Sequence, residues 1–147
     1  MSASNAEPIQ VYLGFAGNNP AGPWCVCSLG VVEGVAYPHT RMVMGQRSNF
    51  DAAWAAVAFS LEHLRGRPAV LWTTLGCLAG EADGATWRAS QGHRPAERAA
   101  WEECKRTGVI VRSVRIHDAP PRLAQAQAHA RRGWRQWRTE VQGKVIP

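Results

Sequence analysis

The order in which hydrophobic periods follow one another restricts the fold of this chain more than any single motif. Three short β-forming segments come first: Ile9–Leu13, Trp24–Val32 and Val35–Met44. Only turn residues separate them, Gly14–Pro23 with its Gly, Asn and Pro, and the tight pair Glu33-Gly34. Such spacing predicts an antiparallel meander, with Pro38 placing the third strand at an edge or a bulge. The period then changes. Ser48 or Asn49 is an N-cap candidate, Asp51 suits the positive end of a helix, and Trp54, Val57, Ala58, Leu61 and Leu64 recur at steps of three and four. Arg65-Gly66-Arg67-Pro68 stops that helix. Ala69–Thr74 is apolar on both sides and reads as an interior strand. Leu75–Ala79 is compatible with the start of a short helix, and Gly80–Gly92 is a polar connection. Pro95–Thr107 is a second long helix with Pro in its first turn and Gly108 after its end. Val109–Ile116 is a fifth strand, Ala119-Pro120-Pro121 breaks the chain, and Leu123–Trp137 is a last helix. A meander followed by βαβ units requires an α/β architecture: a five-stranded mixed sheet, three strands antiparallel and the rest parallel, flanked by helices.

With 147 residues, 46% apolar and 19% charged, the chain is sized for one domain with a real core. We place that domain at 9–138, after a flexible leader (1–8) and before a frayed C-terminal tail (139–147). The leader lacks the basic and apolar regions of a signal peptide, which points to a cytoplasmic protein. No run approaches the about 18 uninterrupted apolar residues of a membrane span. Cys25, Cys27, Cys77 and Cys104 form no zinc-type spacing and are expected to be reduced thiols, mostly buried.

Charge is distributed unevenly. Of seventeen Lys and Arg residues, fifteen follow Leu64, against seven of the eleven acids. A basic second half suggests a polyanionic partner, most often nucleic acid, although basic helices also serve as soluble surface. Its densest stretch is Arg131-Arg132-Gly133-Trp134-Arg135-Gln136-Trp137-Arg138. Guanidinium groups pair with phosphates and indoles stack on bases; equally, Trp134 and Trp137, three apart, suit packing of a helix end onto a sheet. Trp87-Arg88 and His93-Arg94 form a weaker second candidate. His39, His63, His93 and His129 are widely spaced, show no metal-ligand pattern and read as surface residues. No phosphate-binding glycine motif follows a strand, and no cofactor is implied.

Three local features together resemble the ribonuclease H family. Gly17-Asn18-Asn19-Pro20-Ala21-Gly22-Pro23 is similar to that family's turn after its first strand. Ser48-Asn49 leading into Ala56, Ser60, Leu61, Glu62 and Leu64 is similar to the start and face of its first long helix. A fifth strand running to His117, a Pro-bearing loop and an Ala-rich helix resemble its histidine loop and last helix. The resemblance spans roughly residues 9 to 133.

That family cuts RNA in RNA–DNA hybrids with four carboxylates holding two Mg²⁺ ions about 4 Å apart. Carried over position by position, the resemblance puts those carboxylates at Gly14 (or Phe15, with a slip of one), Ala53, Thr74 and near Gln127. None is acidic, and only the loop histidine remains, as His117. Neutral side chains do not replace that much negative charge around Mg²⁺. Asp51, Glu81, Asp83 and Asp118 do not reconstitute four ligands. The resemblance therefore implies no metal site and a catalytically inactive member. It would bind duplex or hybrid nucleic acid through its basic half and through Asn18, Asn19, Ser48 and Asn49, which correspond to backbone-contacting positions. The alternatives are a protein-contact or homodimer module using an apolar patch around Gly14, Phe15, Ala53 and Thr74, and residual metal-dependent cleavage.

Overall fold

The computed structural model describes residues 8–17, 23–44, 49–74 and 95–145. Five strands form one sheet: β1 (Ile9–Gly17), β2 (Trp24–Val32), β3 (Val35–Val43), β4 (Ala69–Thr73) and β5 (Val109–Ser113), in the order β3-β2-β1-β4-β5. The helices are α1 (Asn49–Leu64), α2 (Pro95–Thr107) and α3 (Pro121–Val145), with a 3-10 turn at Ile116–Asp118. The meander and the parallel setting of the remaining strands are as the sequence predicts, and the parallel pairs are β1–β4 and β4–β5. Glu33 (φ 52°) and Gly34 (φ 79°) both take the left-handed conformation that a two-residue hairpin needs to match strand twist. The strand carrying Pro38 lies at the sheet edge.

Side chains alternate across the sheet, so each face has its own core. Val11 and Leu13 of β1, Val26 of β2, Leu71 of β4 and Val111 of β5 are buried together with Trp54 and Val57 of α1 and Cys104 of α2. The opposite face is smaller. There Cys27 and Leu29 meet Ala126 and Ala130 of α3, which lies over β1, β2 and β3. Gly133, inside α3, allows close approach, since a Cβ there would fall 2.6 Å from Cys25 Sγ.

Three boundaries differ from those expected by three residues or more. β1 does not end at Leu13: Gly14–Gly17 stay in the ladder, paired with Cys27–Trp24, because the apolar partner strand continues beside them. β5 stops at Ser113 and not at Ile116, because β4 ends at Thr73 and Ser113 is its last pairing partner. The last helix runs on to Val145, past Trp137 and past the limit of 138 set for the domain. No proline interrupts it, and Gln136 Nε2 donates to Glu140 Oε1 at 3.3 Å across the expected end. The short helix expected at Leu75–Ala79 and the connection up to Gly92 lie outside the described residues, as do residues 1–7.

Burial pushes the Cys27 and Cys104 thiols up to about 12 and also raises Cys25. Thiolate is the reactive form, so these three cysteines are inert while folded. Alkylation of native protein at pH 8, mapped by mass spectrometry, is expected to leave all three unmodified. Denaturant should release all three to labelling.

Candidate functional site

β1 and β4 are parallel, so their C-terminal ends share one end of the sheet. β3 also finishes there, with Val43 paired to Trp24, and α1 therefore starts at this end. In open α/β sheets this is where ligands bind. The strands are unequal in length. The β1–β4 ladder covers only Ile9–Tyr12, while β1 continues to Gly17. A notch of unpaired backbone results, and a side chain from α3 fills it. Phe15 N donates to Gln127 Oε1 at 3.1 Å, and Gln127 Nε2 donates to Phe15 O at 2.8 Å. One primary amide thus stands in for one residue of a neighbouring strand, and it leaves neither Phe15 group without a partner.

The adjoining residue makes this possible. Gly14 is buried against α3. A Cβ built there would lie 2.5 Å from the carbonyl carbon of Ala126, 2.8 Å from Gln127 N, and closer still to Ala126 O. All three are backbone atoms, which cannot rotate away. Position 14 therefore admits no side chain while α3 is docked, and Gln127 reaches Phe15 because the helix comes this close.

The remaining positions singled out in the sequence fall as follows. Ala53 is fully buried in the larger core and presents no functional group. Thr74 follows the end of β4 and is exposed. His117 lies in the 3-10 turn with Nε2 3.6 Å from Asp118 Oδ2, both side chains about 70% exposed. Asn49 is the first residue of α1. Asn18, Asn19, Ser48, Arg88, Arg94, Glu81 and Asp83 lie outside the described residues. Because Gly14 and Ala53 are buried and Phe15 half-buried, these residues form no exposed apolar patch. Nor do they fit a divalent cation. Among the described residues no group of three His, Cys, Asp or Glu side chains is placed to hold a metal ion, and both hydrogen-bonding ends of Gln127 are committed to Phe15.

Removing the amide tests its role. Gln127→Ala leaves the Phe15 N–H and C=O without that partner in a half-buried place. It is expected to cost about 1–3 kcal/mol in denaturant unfolding. Gln127→Glu keeps the size but sets a carboxylate oxygen against the Phe15 carbonyl, and should recover little of that loss at neutral pH.

The basic stretch lies on α3 just beyond this clamp. Positions 127, 131, 134 and 138 fall on one helical stripe, so Arg131, Trp134 and Arg138 continue the line of Gln127 over about 16 Å. Trp134 is half-buried, and its Nε1 donates to Pro23 O at 3.3 Å, next to the start of β2. The guanidinium of Arg138 sits 5.3 Å from the centre of the Trp134 ring. Trp137 is half-buried beside Thr40 and Met42 of β3. Both indoles therefore pack α3 onto the sheet, the second of the two roles open from the sequence. The charges remain outside: Arg131, Arg132, Arg135 and Arg138 are exposed and form no salt bridge among the described residues. Elsewhere Arg41, Arg98 and Arg106 are each paired with a glutamate.

This sheet order, with α1 and α2 on one face and a single long helix on the other, is the ribonuclease H-like fold. Solved structures bear this out. Ribonuclease H1 of the halophilic archaeon Halobacterium salinarum aligns over 76% of this chain and 88% of its own, with a TM-score of 0.59 and 15% identity. LC11-RNase H1, isolated from compost by a metagenomic approach and also solved in complex with an RNA/DNA hybrid, reaches a TM-score of 0.62 at 12% identity. In its hybrid complex it covers 82% of this chain and 91% of its own. The N-terminal ribonuclease H domain of a Mycobacterium tuberculosis protein gives 0.62 at 8% identity over 83% of this chain and 95% of its own. No protein-family model and no curated protein sequence matches this chain. At such identities the likeness is one of fold.

Proposed function

We propose that this protein is a catalytically silent ribonuclease H-like domain that binds RNA–DNA hybrid or duplex nucleic acid, in the cytoplasm, through the arginine stripe of α3. The observation that carries the silent half is the contact of Gly14 with the backbone of Ala126 and Gln127. Where the family resemblance puts a metal-binding carboxylate, this chain has a helix backbone in van der Waals contact. Where it puts another, Gln127 completes the sheet. The binding half is supported by four exposed arginines without acidic partners among the described residues, beside the sheet end where ligands bind in α/β folds. A ribonuclease H1 of the same fold has been crystallised with an RNA/DNA hybrid. No helix among the described residues is long and apolar enough to cross a membrane.

Fluorescence anisotropy with hybrid, duplex and single-stranded probes tests the binding. Three or four phosphate contacts predict an affinity falling by about 40- to 150-fold between 50 and 200 mM salt. No binding at low salt, or affinity indifferent to salt, would rule the reading out. A cleavage assay with Mg²⁺ or Mn²⁺ tests silence, on protein freed of host ribonuclease H. Hybrid cut in proportion to added protein, through every purification step, would overturn it.

A further inference from the structure

A cavity of about 280 Å³ opens on the α1 face at the end of the sheet remote from Gln127. It exists because α1 stops at Leu64 while the β2–β3 hairpin continues beyond it. Ile9, Val11, Val32 and Leu64 give it apolar walls. Gly30 leaves its floor open, since a Cβ there would meet nothing within 4 Å. The polar groups are concentrated at one side. Ser28 and Ser60 are 3% and 0% exposed, with their oxygens 2.8 Å apart, and Ser60 Oγ is also 2.9 Å from Ala56 O. Ser60 has one proton, which goes either to Ala56 O or to Ser28 Oγ; with Ser60 donating to Ser28, the proton of Ser28 is left for the cavity. His39 and His63, which read as unrelated surface residues in the sequence, stack here with ring centres 3.9 Å apart. Arg67 completes the rim. Its Nε and one terminal nitrogen hold the Leu64 and His63 carbonyls at 2.9 and 3.2 Å, which fixes the guanidinium in place and leaves its other terminal nitrogen uncommitted among the described residues. Among the described residues no carboxylate lines the cavity.

We propose that this cavity binds a small monocarboxylic acid with an apolar body, about the size of benzoate. The carboxylate is held by Arg67 and the Ser28 hydroxyl, with His39 and His63 as further N–H donors. The apolar body lies over Gly30 between Ile9, Val11 and Leu64. The size fits: an apolar cavity of about 150 Å³ takes up benzene, so this one accommodates a ring and a carboxylate. The charge fits as well: Arg67 supplies the cation, no described lining residue is acidic, and burial holds His63 below its ordinary value, so its ring donates as a neutral imidazole beside the buried hydroxyls. The site shares no residue with the α3 arginine stripe and stands independently of the nucleic-acid reading.

Calorimetry and ligand-observed NMR with benzoate, benzamide and benzylamine on the full chain test it. Benzoate is expected to bind with a sub-millimolar Kd and benzylamine at least tenfold more weakly. Gly30→Val places methyl groups in the ligand's space from a Cβ that meets nothing within 4 Å. It should weaken benzoate at least tenfold while holding or raising the melting temperature and leaving nucleic-acid affinity unchanged. Arg67→Gln should bring benzoate to the level of benzamide; should that variant fold poorly, Gly30→Ala provides a milder version of the steric test. Equal binding of benzoate and benzylamine overturns the proposal. So does benzoate binding that Gly30→Val leaves intact, which would place the acid on the arginines of α3.

Discussion

Gly14→Asp is expected to destabilise the protein by about 3 kcal/mol or more and to produce no metal-dependent cleavage. In an open active site, the same change would return a carboxylate to a metal. Here the first atom of the new side chain meets three backbone atoms of α3 within 2.8 Å. Overpacking of a tight contact costs about 1–3 kcal/mol even for an added methyl group. A carboxylate buried without a partner adds its own desolvation. For a chain of this size the melting temperature should fall by about 10 °C. Gly14→Ala isolates the steric part and should lose about 2 kcal/mol. Thermal unfolding with and without Mg²⁺ reads both effects. An aspartate variant that melts like the parent, or gains stability from Mg²⁺, would mean that α3 yields at this point.

Replacing Arg131, Arg135 and Arg138 together by Gln should lower affinity for RNA–DNA hybrid by about 100-fold at 100 mM salt. It should also flatten the log–log salt dependence by about three units, near one for each phosphate that is no longer neutralised. The arginines are exposed and form no salt bridge among the described residues, so stability should change little. The exception is Arg138 on the face of Trp134, an interaction worth about 0.5–1 kcal/mol. Circular dichroism melts separate that effect from weakened binding. If hybrid affinity survives the triple substitution, nucleic acid does not bind along this stripe.

The fold was legible because its punctuation is local. Glu33-Gly34 fixes a hairpin, Pro95 and Gly108 bracket a helix, and Pro38 marks an edge; each acts through its own backbone geometry. The site was legible only in part. The absence of carboxylates at positions 14, 53, 74 and 127 can be read residue by residue once the resemblance is recognised. What replaced them cannot. The Phe15–Gln127 clamp joins residues 112 apart, and no periodicity of one segment encodes a contact with another. The small residues at Gly14, Ala126, Ala130 and Gly133 were the available signal: a strand and a helix that both lack bulk are able to approach closely. The cavity escaped notice for the same reason, since its histidines come from β3 and α1 and only the sheet brings them together.

The handclasp between β1 and α3 also sets a schedule for biosynthesis. β1 is translated before the other four strands of its sheet, yet the group that completes its edge belongs to residue 127. At about 5–20 residues per second, ribosomes take roughly 5–20 s to cover that interval. Throughout it the nascent chain carries a strand with an unfinished end, open to mispairing with any neighbouring chain. A sheet whose middle strand is finished by the last helix cannot mature from its N-terminus inward. Its final assembly waits until α3 has been made.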